Sequence, residues 1–172
     1  MRLLLISLIT FFVLSACTQT TTAPAVEHSK LYSKEAQFEN VRDDLKTAIE
    51  NRGLVIDHTS HIHDMLERTG KDLGTTTPIY VDAKSYMFCS AVVSRKTIEA
   101  DPHNIVFCPY VIAVYTVLNE PKKVYVAYRR PQQPAGTPQS QASLKAVEEL
   151  LDGIAREALN LPSNATPSKP IS

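Results

Sequence analysis

Two runs late in the chain, residues 110–118 and 123–128, are rich in β-branched and aromatic side chains and are separated only by Asn119, Glu120, Pro121 and Lys122. Strands joined by so short a link pair antiparallel, because a parallel pair needs a crossover of a dozen residues or more. The second run alternates Val124, Val126 and Tyr128 with Lys123, Tyr125 and Ala127, which is the period of a sheet with one covered face.

That face needs a cover. After a proline-rich connector over 131–138, Leu144, Val147, Leu151, Ile154 and Ala158 recur at helical spacing as far as Leu159. Upstream, Phe38, Val41, Leu45, Ala48 and Ile49 put a similar stripe on an earlier helix, which Gly53 closes. Leu54, Val55 and Ile56 then predict a buried strand, and residues 30–34 a short one. Residues 64–68 predict a short helix stopped by Gly70 or Gly74, and Pro78 opens an extended stretch through Cys89. Ser90 suits an N-cap for a helix that Asp101 and Pro102 stop, since proline disfavours helical geometry in the residue before it. The expected architecture is α+β: a single small domain over 30–160, an antiparallel sheet with a C-terminal β-hairpin packed against helices. No internal repeat is visible.

The N-terminus carries different information. Met1 and Arg2 precede an apolar run over 3–14 interrupted only by Ser7 and Thr10. A helical span of a ~30 Å bilayer core needs ~20 apolar residues, so this run suits a cleavable export signal over 1–16 better than a transmembrane anchor. Leu14, Ser15, Ala16 and Cys17 resemble the lipobox of bacterial lipoproteins, in which the cysteine sulfur receives a diacylglycerol and the leader is cut just before it. That resemblance implies acyl chains such as palmitate on Cys17. Two or three chains hold a protein on a membrane where one would not. Thr18 stands where an aspartate would resemble the inner-membrane retention signal, which points to the outer membrane, facing the periplasm. An ordinary cleaved signal with Cys17 incidental is the other reading of the same residues. Residues 17–29 are then a polar flexible tether, and 161–172 a disordered tail whose Asn164 and Thr166 form a glycosylation sequon that a bacterial lipoprotein leaves unused.

Charge excludes one class of partner. Basic and acidic residues balance at 18 against 18, leaving no excess to neutralise phosphates, so nucleic-acid binding has no support. Arg129 and Arg130, near Lys122 and Lys123, suit a solvated strand end.

With Cys17 lipidated, Cys89 and Cys108 remain as an even pair in a compartment that permits disulfides. A helix after Cys89 followed by an extended return over 101–107 lets the chain come back within the ~6 Å between Cα atoms that a bridge requires. Closing that loop is worth roughly 3 kcal/mol in the chain-entropy model. Two unpaired thiols, or a redox role for Cys89 at a helix N-terminus that favours thiolate, are the alternatives.

His58, His61 and His63 form the other cluster. In an extended segment His61 and His63 share a face, an incomplete metal site; ordinary solvent-facing histidines are the plainer reading. There is no G-x-S-x-G elbow, H-E-x-x-H motif or glycine-rich phosphate loop, so neither a catalytic residue nor a cofactor is implied.

From 38 to 131 the order of features resembles the domain of unknown function 302 family. The likeness rests on Phe38 and Val41 opening the first helix, on Gly53 with Leu54, Val55 and Ile56, on Phe88, Cys89, Ser90 and Ala91, on Ala100, Asp101 and Pro102, and on Cys108, Pro109 and Tyr110 leading into the hairpin. It implies an antiparallel sheet backed by helices, often in dimeric proteins, with no established activity and some members near sulfur-compound oxidation systems. Cys108 stands where many members carry leucine before proline, and its change together with Cys89 favours a bridge. The expected function is a lipid-anchored extracytoplasmic accessory module, without catalytic activity, that binds a protein or small-molecule partner or a second copy of itself. The competing expectation is thiol or metal chemistry through Cys89 and Cys108, with or without His61 and His63.

Overall fold

The computed structural model describes residues 27–75 and 77–162. The expected leader, Cys17, most of the tether and the sequon lie outside the described residues. The elements are β1 (Ser29–Glu35), α1 (Phe38–Glu50), β2 (Ile56–His61), α2 (Ile62–Asp72), β3 (Tyr80–Phe88), α3 (Ala91–Ala100), a 3-10 helix (Pro102–Phe107), β4 (Tyr110–Val117), β5 (Lys123–Arg129) and α4 (Pro138–Ala158). The strands form one antiparallel sheet in the order β1-β5-β4-β3-β2, as an α+β domain.

Alternation decides which side of that sheet is buried. Tyr110, Ile112 and Val114 of β4 lie beside Val124, Val126 and Tyr128 of β5 and beside Tyr86 and Phe88 of β3, and all are buried. Against them lie Val41, Leu45, Ala48 and Ile49 of α1 and Val147, Leu151, Ile154 and Ala155 of α4. The stripes at helical spacing are therefore the inner faces of two helices that also pack on each other. Fully burying side chains of this size contributes about 1.5–3 kcal/mol each.

Several boundaries differ from expectation, each for a physical reason. Residues 54–56 do not form a buried strand: Val55 is 71% exposed, and the strand is β2, an edge strand hydrogen-bonded only to β3. α2 is longer than 64–68 and contains Gly70; Gly74, with φ of +73°, closes it. α4 starts at Pro138 because Thr137 caps it, accepting from Ser140 N–H at 3.1 Å, so a polar first turn precedes the apolar stripe. The segment after Asp101 is a 3-10 helix, not an extended return; the Asp101 side chain accepts from His103 N–H at 2.9 Å. Asn104, 1% exposed, pins that segment by donating to the Thr97 carbonyl at 3.0 Å and the Ser140 hydroxyl at 2.9 Å. The domain also exceeds 30–160: β1 begins at Ser29, inside the expected tether, and Leu161, at the start of the expected tail, packs on the core.

A polar tie secures β1, which reaches the rest of the sheet only through β5. Tyr32 of β1 donates a hydrogen bond to Asp152 of α4, as does Tyr128 of β5 at 3.3 Å. Arg156 donates to the same carboxylate at 2.8 Å and to the Tyr32 hydroxyl at 3.2 Å, its guanidinium lying 4.7 Å from the centre of the Tyr32 ring. Burial works against the Asp152 carboxylate, but the hydrogen bonds from Tyr32 and Arg156 outweigh it and hold the group below the usual aspartate range.

With the folded pKa depressed, the unfolded chain binds more protons between the two pKa values, so stability rises with pH across that window. The contribution is complete above the unfolded aspartate pKa and is lost as pH falls toward the folded value. Asp152→Asn is expected to lower stability at neutral pH by on the order of 1 kcal/mol, the difference between a charged and a neutral hydrogen-bond acceptor. Denaturant titrations repeated from neutral to acid pH should show a flatter acid limb in the variant; identical limbs would remove Asp152 from the account.

Candidate functional site

The sheet brings the two cysteines together. Phe88 and Tyr110 are register partners at the end of the β3–β4 ladder, their rings meeting edge to face with centroids 6.0 Å apart. Cys89 therefore leaves β3 beside the point where Cys108 and Pro109 enter β4, through a cis Cys108–Pro109 peptide. The two half-buried thiols stand 2.7 Å apart, sulfur to sulfur, nearer than two non-bonded sulfurs ordinarily rest. Ser90 caps α3 as expected, its hydroxyl accepting from Val93 N–H at 3.4 Å. One turn on, the Ser94 hydroxyl lies 3.8 Å from the Cys108 sulfur and 2.9 Å from the Tyr110 hydroxyl.

The position of Cys89 before α3 does not make it a reactive thiolate. Burial first, then the neighbouring Cys108 sulfur, push its thiol up to about 12, against a Tyr110 backbone hydrogen bond that acts the other way. Desolvation outweighs the helix terminus here. Two sulfurs in contact, one of them held protonated at neutral pH, suit cross-linking better than nucleophilic turnover.

The histidines do not share a face as an extended segment would have them. His61 ends β2 and precedes the first turn of α2, while His63 lies within α2, because the strand stops two residues before it. His61 Nδ1 instead sits 3.7 Å from Asp64, both side chains exposed. Among the described residues no group of three or more His, Cys, Asp or Glu side chains is placed to hold a metal. His58, His61, Met65 and Arg68 do border an open groove between β2 and the start of α2.

Arg130, at the end of the basic run, is engaged on the domain itself, donating to Glu148 at 2.6 Å and 3.2 Å and lying 3.4 Å from Glu27. Cys17, the lipidation candidate, lies outside the described residues. Two features went unread in the sequence. The Asp152 tie left a partial signal, since Asp152 and Arg156 stand four apart on a helix; its tyrosines come from distant strands. Ser94 stands one helical turn beyond the Ser90 cap and gives no other sign of its contact with Tyr110.

The second face of the sheet is a separate surface. It carries Leu31 of β1, Tyr125 and Ala127 of β5, Val111, Ala113 and Tyr115 of β4, and Met87 of β3, while Ala83 and Ser85 of β3 on the same face are buried. Leu31 and Val111 are 53% and 41% exposed. Tyr115 stacks on Tyr125 with ring centroids 5.3 Å apart and meets Tyr80 edge to face at 5.6 Å. Charge lies at the rim of this face, with Glu35 of β1 opposite Lys123 at one end of β5 and Arg129 at the other.

The family model described as "Domain of unknown function DUF302" matches residues 13–158. The fold is similar to the crystal structure of an uncharacterized conserved protein DUF302 from Bacillus stearothermophilus, with a TM-score of 0.63 and 11% sequence identity, covering 77% of this chain and 99% of that one. At that identity the likeness concerns the fold alone. No curated protein matches the chain. With the model spanning the whole described domain but its last few residues, the chain belongs to the DUF302 family.

Proposed function

We propose that this chain is a lipid-anchored, extracytoplasmic binding module without catalytic activity, held to the outer membrane through Cys17 and engaging a protein partner through the second face of its sheet. The observation that carries the binding part is that face: an apolar, aromatic centre, with exposed Leu31 and Val111 and no charged side chain among its central residues. Contiguous apolar surface of this kind marks interaction sites in soluble domains. A second copy of the chain offers the same uncharged centre, and two-fold pairing places each face on its twin. The anchoring part rests on the lipobox-like residues 14–17 and the short apolar run before them. No helix among the described residues is long and apolar enough to cross a membrane. Thiol exchange is less well supported, because burial opposes the Cys89 thiolate.

Two measurements test this reading. Replacing Cys17 by serine should move the protein from the membrane fraction to the soluble fraction of the envelope, and intact mass of the wild-type protein should show acyl chains on a polypeptide that begins at Cys17. A chain that keeps its leader, or carries no lipid, ends the anchoring proposal. Val111→Lys, which places a charge on the exposed sheet face beside Met87, should convert a paired protein to a monomer in sedimentation velocity while leaving its unfolding midpoint nearly unchanged. A wild-type protein that is already monomeric at tens of micromolar would eliminate the second copy as partner.

A further inference from the structure

We propose that Cys89 and Cys108 are joined in the native protein as a structural disulfide that fastens the α3 and 3-10 excursion to the sheet. The first support is placement. The sulfurs project from neighbouring strand ends, fixed by the Phe88 and Tyr110 register, and stand 2.7 Å apart. Closing to the ~2.05 Å of a bond asks for a small side-chain adjustment.

The second support is the weak attachment of what lies between them. α3 buries only Thr97 and the 3-10 helix only Asn104, both polar, while Val92, Ile105 and Val106 stand 66%, 61% and 77% exposed. To the rest of the domain the excursion is tied by the Asn104 hydrogen bond to Ser140, the Ser94 contact with the Tyr110 hydroxyl and the partly buried Val93. A cross-link at its two ends supplies a restraint that apolar burial does not. The raised Cys89 thiol fits a bond formed once and kept, since it is a poor attacking group for repeated exchange.

The chemistry balances as a thiol–disulfide exchange. Cys89 and Cys108 each lose a proton, one sulfur–sulfur bond forms, and the two electrons reduce an incoming disulfide to two thiols. The oxidant is a protein or small-molecule disulfide of the extracytoplasmic space. The inference rests on the proposed location for its oxidant and on the fold for its geometry.

The test uses the full chain purified from its native envelope without reductant, treated with a thiol alkylator under denaturing conditions before and after reduction, with intact mass read each time. The expected result is no alkylation at Cys89 or Cys108 before reduction, a mass two hydrogens below the dithiol form, and both sites labelled afterwards. Amide exchange across residues 90–107 should quicken by at least tenfold on reduction while β4 and β5 stay unchanged, and the Cys89→Ser, Cys108→Ser double variant should behave as the reduced protein does. Free thiols that close when glutathione disulfide is added would overturn the native bond and count against the oxidising location. Free thiols that stay open would overturn the pairing and leave the location untouched. A bonded pair whose reduction leaves exchange in 90–107 unaltered would overturn its structural role.

Discussion

The burial of one side of a five-stranded antiparallel sheet governs the rest of this molecule. Ile112 and Val114, on β4, have β3 on one side and β5 on the other, and both side chains are fully covered by the helix layer. α1 and α4 can cover them only from the same side, so their stripes converge on a single core. Everything peripheral follows from that arrangement. β1 and β2 become edges, β1 needs the Asp152 tie to α4, and the opposite face of the sheet keeps an apolar surface around Leu31 and Val111 that α1 and α4 do not close, although Ala83 and Ser85 on its β3 side are buried.

The parts of the fold visible in the sequence are those where one local rule acts alone. The period of two in Val124, Val126 and Tyr128 marked the β5 face, and the three-and-four spacing from Phe38 to Ile49 marked α1. Ser90 and the Asp101 and Pro102 step bracketed α3 through capping and proline geometry, without help from its weak apolar pattern. Where the outcome depended on a neighbour far away in the chain, the local rule failed. Val55 has a strand-like, apolar side chain but precedes an edge strand, so nothing buries it. The polar first turn of α4 hides its true start, and Gly70 sits inside a helix that it looked suited to end.

The same division applies to the site. That Cys89 and Cys108 could meet was legible from chain length alone; how they meet depends on a strand register and a 3-10 helix that no spacing announces. The alternative reading of Cys89 as a thiolate loses support because the helix terminus was visible in the sequence and the desolvation opposing it was not. The condition for His61 and His63 to share a face, an extended backbone through His63, is not met, because the strand ends at His61. The uncovered sheet face was implied by alternation, which says that one side faces the core but leaves the occupant of the other side to the tertiary structure.

The central claim is that the face bearing Met87 and Val111 is the working surface of the molecule. Its most direct test is radical footprinting of these two side chains in the intact envelope and again after the protein has been purified and diluted. The account predicts that both are shielded in the envelope and become labelled on dilution, while exposed Leu73, whose side chain is 77% accessible, labels equally in the two states. Equal labelling of Met87 and Val111 in both states would contradict it.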